Sequence, residues 1–141
     1  MIDIGAKDVV KRSARARGEI LLKRDTVDLI QKGKIKKGNV LATAEVGGIM
    51  AVKKTSEIIP LCHPIPLTSV SFDYEIEEDR IICYCQVQAD YKTGVEMEAI
   101  TGVTIALLTI WDMVKYLEKD EDGQYPSTRI TNIEILEKVK G

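Results

Sequence analysis

Over residues 69–77 the chain alternates with period two. Val70, Phe72, Tyr74 and Ile76 are apolar, and Ser69, Ser71, Asp73, Glu75 and Glu77 stand between them. That is the pattern of a half-buried strand. After the charged turn Glu78-Asp79 the alternation resumes over residues 81–90, with Ile81, Cys83, Cys85, Val87 and Ala89 on one face. Together the two stretches predict an antiparallel hairpin with one wetted side. Upstream, residues 14–23 read as extended. A helix is predicted from Asp25, whose side chain is expected to cap it, to a stop at Gly33. A basic loop over residues 34–38 follows, then a second helix over residues 40–59 that ends before Pro60. Beyond the hairpin come a long helix over residues 95–118 and a last strand over residues 128–136. This order predicts one α+β domain spanning residues 1–141, a four-stranded antiparallel sheet with helices on one face.

The long helix is apolar nearly all the way round from residue 99 to residue 111, as in a helix covered on more than one side. One sheet leaves its outer face bare, so the pattern predicts a homo-oligomer. Thr101, Gly102, Thr104 and Thr109 interrupt that stretch, which is shorter than the ~18 residues a bilayer span requires. No membrane partner is expected. Hydrophobic residues make up 45% and charged residues 30% of the 141, which disfavours a disordered chain. Twenty basic against 22 acidic residues give a net charge of −2, where a dedicated nucleic-acid binder is expected to be basic. An RNA-binding sheet would also need stacking aromatics on its exposed face, and the chain has one Phe and one Trp, with Phe72 on an apolar face. An odd cysteine count and the absence of a cationic-then-apolar leader point to the reducing cytoplasm.

Candidate chemistry falls into three groups. The single histidine, His63, sits in the loop Pro60-Leu61-Cys62-His63-Pro64, between a helix and a strand, where it suits proton transfer or an anion contact. A structural histidine capping the preceding helix is an equal reading. Cys62, His63, Cys83 and Cys85 lack the spacing of a tetrahedral zinc site, so no metal site is expected, and Cys83 and Cys85 read as small core residues. The lysines are more informative. Lys36 and Lys37 precede Gly38, Lys92 precedes Thr93-Gly94, and both glycines stand just before a helix start that favours an anion. Lys53 and Lys54 lie on the second helix, and Lys115 follows Asp112 at i+3 among apolar neighbours. Converging lysines would form a polyphosphate pocket, whereas each alone reads as solvated surface. Glu98 shares a helix face with Asp112 but lies four turns away, about 21 Å. Two copies meeting at an interface can bring one beside the other. Neither the P-loop nor the dinucleotide-binding glycine pattern is present.

Five ordered motifs then carry a family resemblance. They are Lys37-Gly38-Asn39-Val40, Gly48-Ile49-Met50-Ala51-Val52-Lys53-Lys54-Thr55, Leu61-Cys62-His63-Pro64, Lys92-Thr93-Gly94-Val95-Glu96-Met97-Glu98-Ala99 and Leu108-Thr109-Ile110-Trp111-Asp112-Met113-Val114-Lys115. From Met1-Ile2-Asp3-Ile4 onward the sequence resembles the molybdenum cofactor biosynthesis protein C, or cyclic pyranopterin monophosphate synthase, family. The resemblance implies a ferredoxin-like fold, hexamers built as trimers of dimers, and active sites at the dimer interface. It also implies a lyase that converts a cyclised dihydro-GTP precursor into cyclic pyranopterin monophosphate and pyrophosphate. By motif, Asp112, Lys115 and Lys37 match catalytic positions. Leu61, Cys62, His63, Met97, Glu98 and Lys53 match substrate-binding ones. No resident cofactor is implied, and Mg2+ is expected only with the triphosphate. Tyr91, where the family usually has Gly, and Trp111, where it usually has Tyr, are modest departures. Many members also continue with a Gly-Gly-Lys-Ser-Gly tail where this sequence reads Lys138-Val139-Lys140-Gly141. A nucleotide-sensing module using the same lysines without chemistry is the rival reading.

Overall fold

The computed structural model describes residues 1–141. The elements run β1 (Val10–Leu21), α1 (Arg24–Gln31), α2 (Val40–Lys53), α3 (Thr55–Ile58), β2 (Leu67–Glu77), β3 (Arg80–Tyr91), α4 (Glu96–Glu118) and β4 (Arg129–Lys140). The strands lie in the order β2-β3-β1-β4, with every neighbouring pair antiparallel. This is the split βαβ arrangement of ferredoxin-like folds. Register explains the two faces. Phe72, Cys85, Ala16 and Ile135 form one row across the four strands, and Asp73, Tyr84, Arg17 and Glu134 form the adjacent row. The first row faces the helices and the second is polar. Between them the central strands bury Ala14, Ala16, Ile20, Ile81, Cys83, Cys85 and Val87.

Small residues set how closely the layers approach. A Cβ on Gly102 of α4 would lie 2.6 Å from Val52 Cγ2 and 3.1 Å from Cys85 Sγ, and one on Gly48 would lie 3.1 Å from the Gly102 carbonyl oxygen. The α2–α4 crossing therefore depends on the absence of side chains at these two positions. It also answers the question raised by the all-round apolar pattern of α4. The helix α2 of the same chain covers much of that second side, leaving Leu108 and Met97 exposed on α4 and Val46 and Met50 exposed on α2. By length and composition alone α4 would pass for a membrane span, in contrast to the shorter stretch read from sequence, yet half of its most apolar window is buried within the fold.

Strand β2 starts at Leu67 and β4 runs on to Lys140, both longer than the sequence reading predicts, and three further elements differ from it. First, β1 begins at Val10 and stops at Leu21, because Lys11 and Arg12 extend the ladder opposite Asp90 and Ala89 despite their polarity. Second, the N-cap of α1 is Lys23 rather than Asp25, which lies inside the first turn. The fully buried Glu118 carboxylate anchors that start from the end of α4, accepting from the Lys23 amide and from the hydroxyls of Thr26 and Thr128. Third, the predicted second helix is broken. Thr55 donates its hydroxyl back to the carbonyls of Ala51 and Val52, and Lys54 leaves helical geometry, so α2 ends at Lys53 and α3 is a single turn.

Candidate active site

At the C-terminal half of α4, three charged groups from two elements meet. Gly38, at φ +115°, reverses the chain immediately after Lys37, and Asn39 caps α2 by accepting from the Ala42 amide. Held in this way, Lys37 reaches back to α4. Its Nζ donates to the Asp112 carbonyl oxygen at 2.9 Å and lies 3.3 Å from Asp112 Oδ2. Lys115 Nζ lies 3.1 Å from Oδ1 of the same carboxylate. Its two lysine partners, Lys115 first and Lys37 second, hold the Asp112 carboxyl below the usual carboxylate range. All three side chains remain about half exposed, with Asp112 at 59%. An incoming anion can therefore take either ammonium without opening the core.

The other end of α4 is a cavity of about 350 Å³, walled by Leu61, Cys62, His63, Met97 and Glu98 and roofed by the N-terminal residues Ile2 and Ile4. Glu98 is 4% exposed. Burial pushes its carboxyl up, and the neighbouring Glu96 charge adds to that effect. Burial and these same two carboxylates also push the Cys62 thiol up. His63 Nε2 lies 2.8 Å from the Ile2 carbonyl oxygen. A carbonyl only accepts, so Nε2 carries a proton in this contact. The helix-capping reading of His63 is thus replaced by a tie to the N-terminal segment. Across His63 and Glu98 lies a second cavity, also about 350 Å³, lined by Lys53, Thr55 and Ser56.

The predicted residues therefore separate into two groups on one chain. Lys37, Asp112 and Lys115 are together; Leu61, Cys62, His63, Met97, Glu98 and Lys53 are together; about 21 Å of helix divides them. Cys83 and Cys85 are fully buried under α4, and no three His, Cys, Asp or Glu side chains cluster as a metal site would require. Lys92 points elsewhere, donating to the Gly5 carbonyl at 2.9 Å. The sequence reading missed Ile2, Ile4 and Lys7, which line the first cavity. Met1-Ile2-Asp3-Ile4 had marked where the resemblance begins, but no periodicity pointed to a cavity wall.

The sequence matches the MoaC family over residues 1–141. It is 64% identical to the "probable cyclic pyranopterin monophosphate synthase" of Pyrococcus abyssi, over 99% of this chain and 88% of that protein. It is 63% identical to the protein of the same name from Thermococcus kodakarensis, over 100% of this chain and 90% of the relative. A relative from Methanothermobacter thermautotrophicus, 60% identical over 99% of this chain and 88% of its own length, is named "probable cyclic pyranopterin monophosphate synthase accessory protein". With the family match spanning all 141 residues, this protein belongs to the MoaC family.

Proposed function

We propose that the chain is a cyclic pyranopterin monophosphate synthase of molybdenum cofactor biosynthesis. It acts as a lyase on (8S)-3',8-cyclo-7,8-dihydroguanosine 5'-triphosphate and releases pyrophosphate. The observation that carries this reading is the carboxylate of Asp112 held between two ammonium groups from separate elements, at 3.3 Å from Lys37 and 3.1 Å from Lys115. Rearranging a purine-derived ring into a pyranopterin requires protons to be removed and returned, and a carboxylate paired with lysines supplies both a base and an acid. A ribose hydroxyl then attacks the α-phosphorus, its proton passing to the Asp112 carboxylate as base. Its O–P bond forms as the bond to the β-phosphate oxygen breaks, and pyrophosphate leaves with the electron pair. That step is chiefly positioning and charge neutralisation, assigned to Lys37, Lys53 and His63.

Glu98, together with Leu61, Cys62 and Met97, is assigned to the guanine-derived ring. A buried carboxyl that makes no ion pair of its own can accept paired N–H groups from a heterocycle edge. One small substrate does not span the 21 Å between Glu98 and Asp112, so each site is read as combining the Asp112 cluster of one copy with the Glu98 cavity of another. The assembly we propose is a hexamer, a trimer of dimers with sites at the dimer interface, located in the cytoplasm. The three free cysteines suit a reducing compartment. No resident cofactor is assigned, and Mg2+ is read as travelling with the triphosphate. The test is incubation of the purified protein with the cyclic precursor. Pyrophosphate and a pterin product form with the native chain and not with Asp112→Ala; a nucleotide sensor would bind the precursor and release neither.

A further inference from the structure

Tyr116 has no part in the assignments above, yet it faces the same cluster. It lies four residues beyond Asp112 on α4, one turn along the same helix face. Its hydroxyl accepts a hydrogen bond from the Lys36 backbone N–H at 3.0 Å, and the Lys36 ammonium lies 5.5 Å from its ring centroid. The next residue, Lys37, makes the contacts to Asp112. Two consecutive residues of the α1–α2 loop are thus docked on two consecutive turns of one helix. The other amide bonds in this loop are local: Lys34 N–H donates to the Leu29 carbonyl and Gly38 N–H to the Ile35 carbonyl. Ile35 anchors the loop in the core. Among the loop's amides, that of Lys36 makes the bond that crosses to α4.

We propose that Tyr116 is a positioning residue whose hydroxyl fixes the 34–38 loop at the height where the Lys37 ammonium meets Asp112. This rests on reading Lys37 and Asp112 as part of the machinery. The physical argument concerns the lysine stem, which is long and flexible, so its ammonium is placed only as well as its own backbone is held. A phenolic oxygen on a rigid ring holds that backbone with one directional bond. The ring also gives the Lys36 ammonium an aromatic face to rest on, but that contact leaves the peptide free to slide.

Tyr116→Phe keeps the ring and removes only the acceptor. The direct readout is the titration midpoint of the Asp112 carboxyl, followed by carbon NMR, where the facing charged groups are Lys37 and Lys115. Tyr116→Phe should raise that midpoint at unchanged melting temperature and should move nothing further in a Lys37→Ala background. Lys36→Met, which keeps the amide donor, should leave it in place. In turnover, Tyr116→Phe should lower kcat about tenfold, the scale of one net hydrogen bond, with KM nearly constant. The proposal is overturned if the midpoint is unmoved in Tyr116→Phe, if it shifts equally with and without Lys37, or if Lys36→Met shifts it as much. Should the native chain release no pyrophosphate from the precursor, the synthase reading fails by itself, and the Asp112 titration still decides the role of Tyr116.

Discussion

The two ends of α4 place carboxylates in opposite environments. Asp112 is exposed and flanked by two lysines that hold its carboxyl low, while Glu98 is buried and that burial pushes its carboxyl high. One helix therefore offers a charged group poised for proton and phosphate chemistry and a dry group suited to reading hydrogen-bond donors. Such divergence between paired acids marks a division of roles. The comparison also shows why an isolated chain looks half built, since the rigid rod that positions both groups keeps them apart.

The largest effect that would sharpen this contrast comes from Asp112→Asn, which keeps the shape and removes the charge. Turnover of the cyclic precursor, measured as pyrophosphate release, should fall by about 10²–10⁴. The melting temperature should barely move, because the side chain is mostly exposed. Lys37→Ala should follow, at about 10²–10³ in kcat, the scale of losing one preorganised donor to developing charge. If either variant kept full activity, the charged end would be a surface ion network and nothing more.

Midway between the two ends, Gly102→Ala tests the joint that fixes both. The added methyl meets Val52 and Cys85, and denaturant unfolding should show a loss of about 1–3 kcal/mol. At the dry end, Glu98→Gln replaces one acceptor oxygen by a donor. KM should rise about tenfold, with kcat affected less.

The smallest effect is a pair of opposed pH slopes. The Glu98 pKa is raised in the folded chain, so its stabilisation is present below the unfolded carboxylate value, about 4.3, and is lost as pH climbs through the folded value. The Asp112 pKa is lowered, so its contribution is present above about 3.9 and is lost as pH falls through the folded value. In acid unfolding curves, Glu98→Gln should therefore steepen the loss of stability with falling pH, and Asp112→Asn should flatten it. Matching slopes would mean the two environments do not differ.

Much of this was readable in the residues. The hairpin was plain because Phe72, Tyr74, Cys83 and Cys85 alternate with polar neighbours, and period two depends only on strand geometry. The Asp112–Lys115 pair was plain because i,i+3 spacing makes helical neighbours. The break after Lys53 was hidden, since a hydroxyl bonding back to the preceding turn leaves no mark on the hydrophobic pattern. Glu118 was hidden too: its partners Lys23, Thr26 and Thr128 lie on other segments of the chain. The docking of Lys37 on Asp112, and of Lys36 on Tyr116, spans 75 and 80 residues and is created by the fold alone.

A mixed assembly tests the shared site most directly. One chain would carry Asp112→Asn and the other His63→Ala with Glu98→Ala, each inactive alone, and the two would be co-expressed and purified together. If every site takes its charged end from one copy and its cavity from another, random pairing restores about one quarter of native turnover, since half the dimers are mixed and each holds one intact site. A mixture as inactive as its parents would contradict the account.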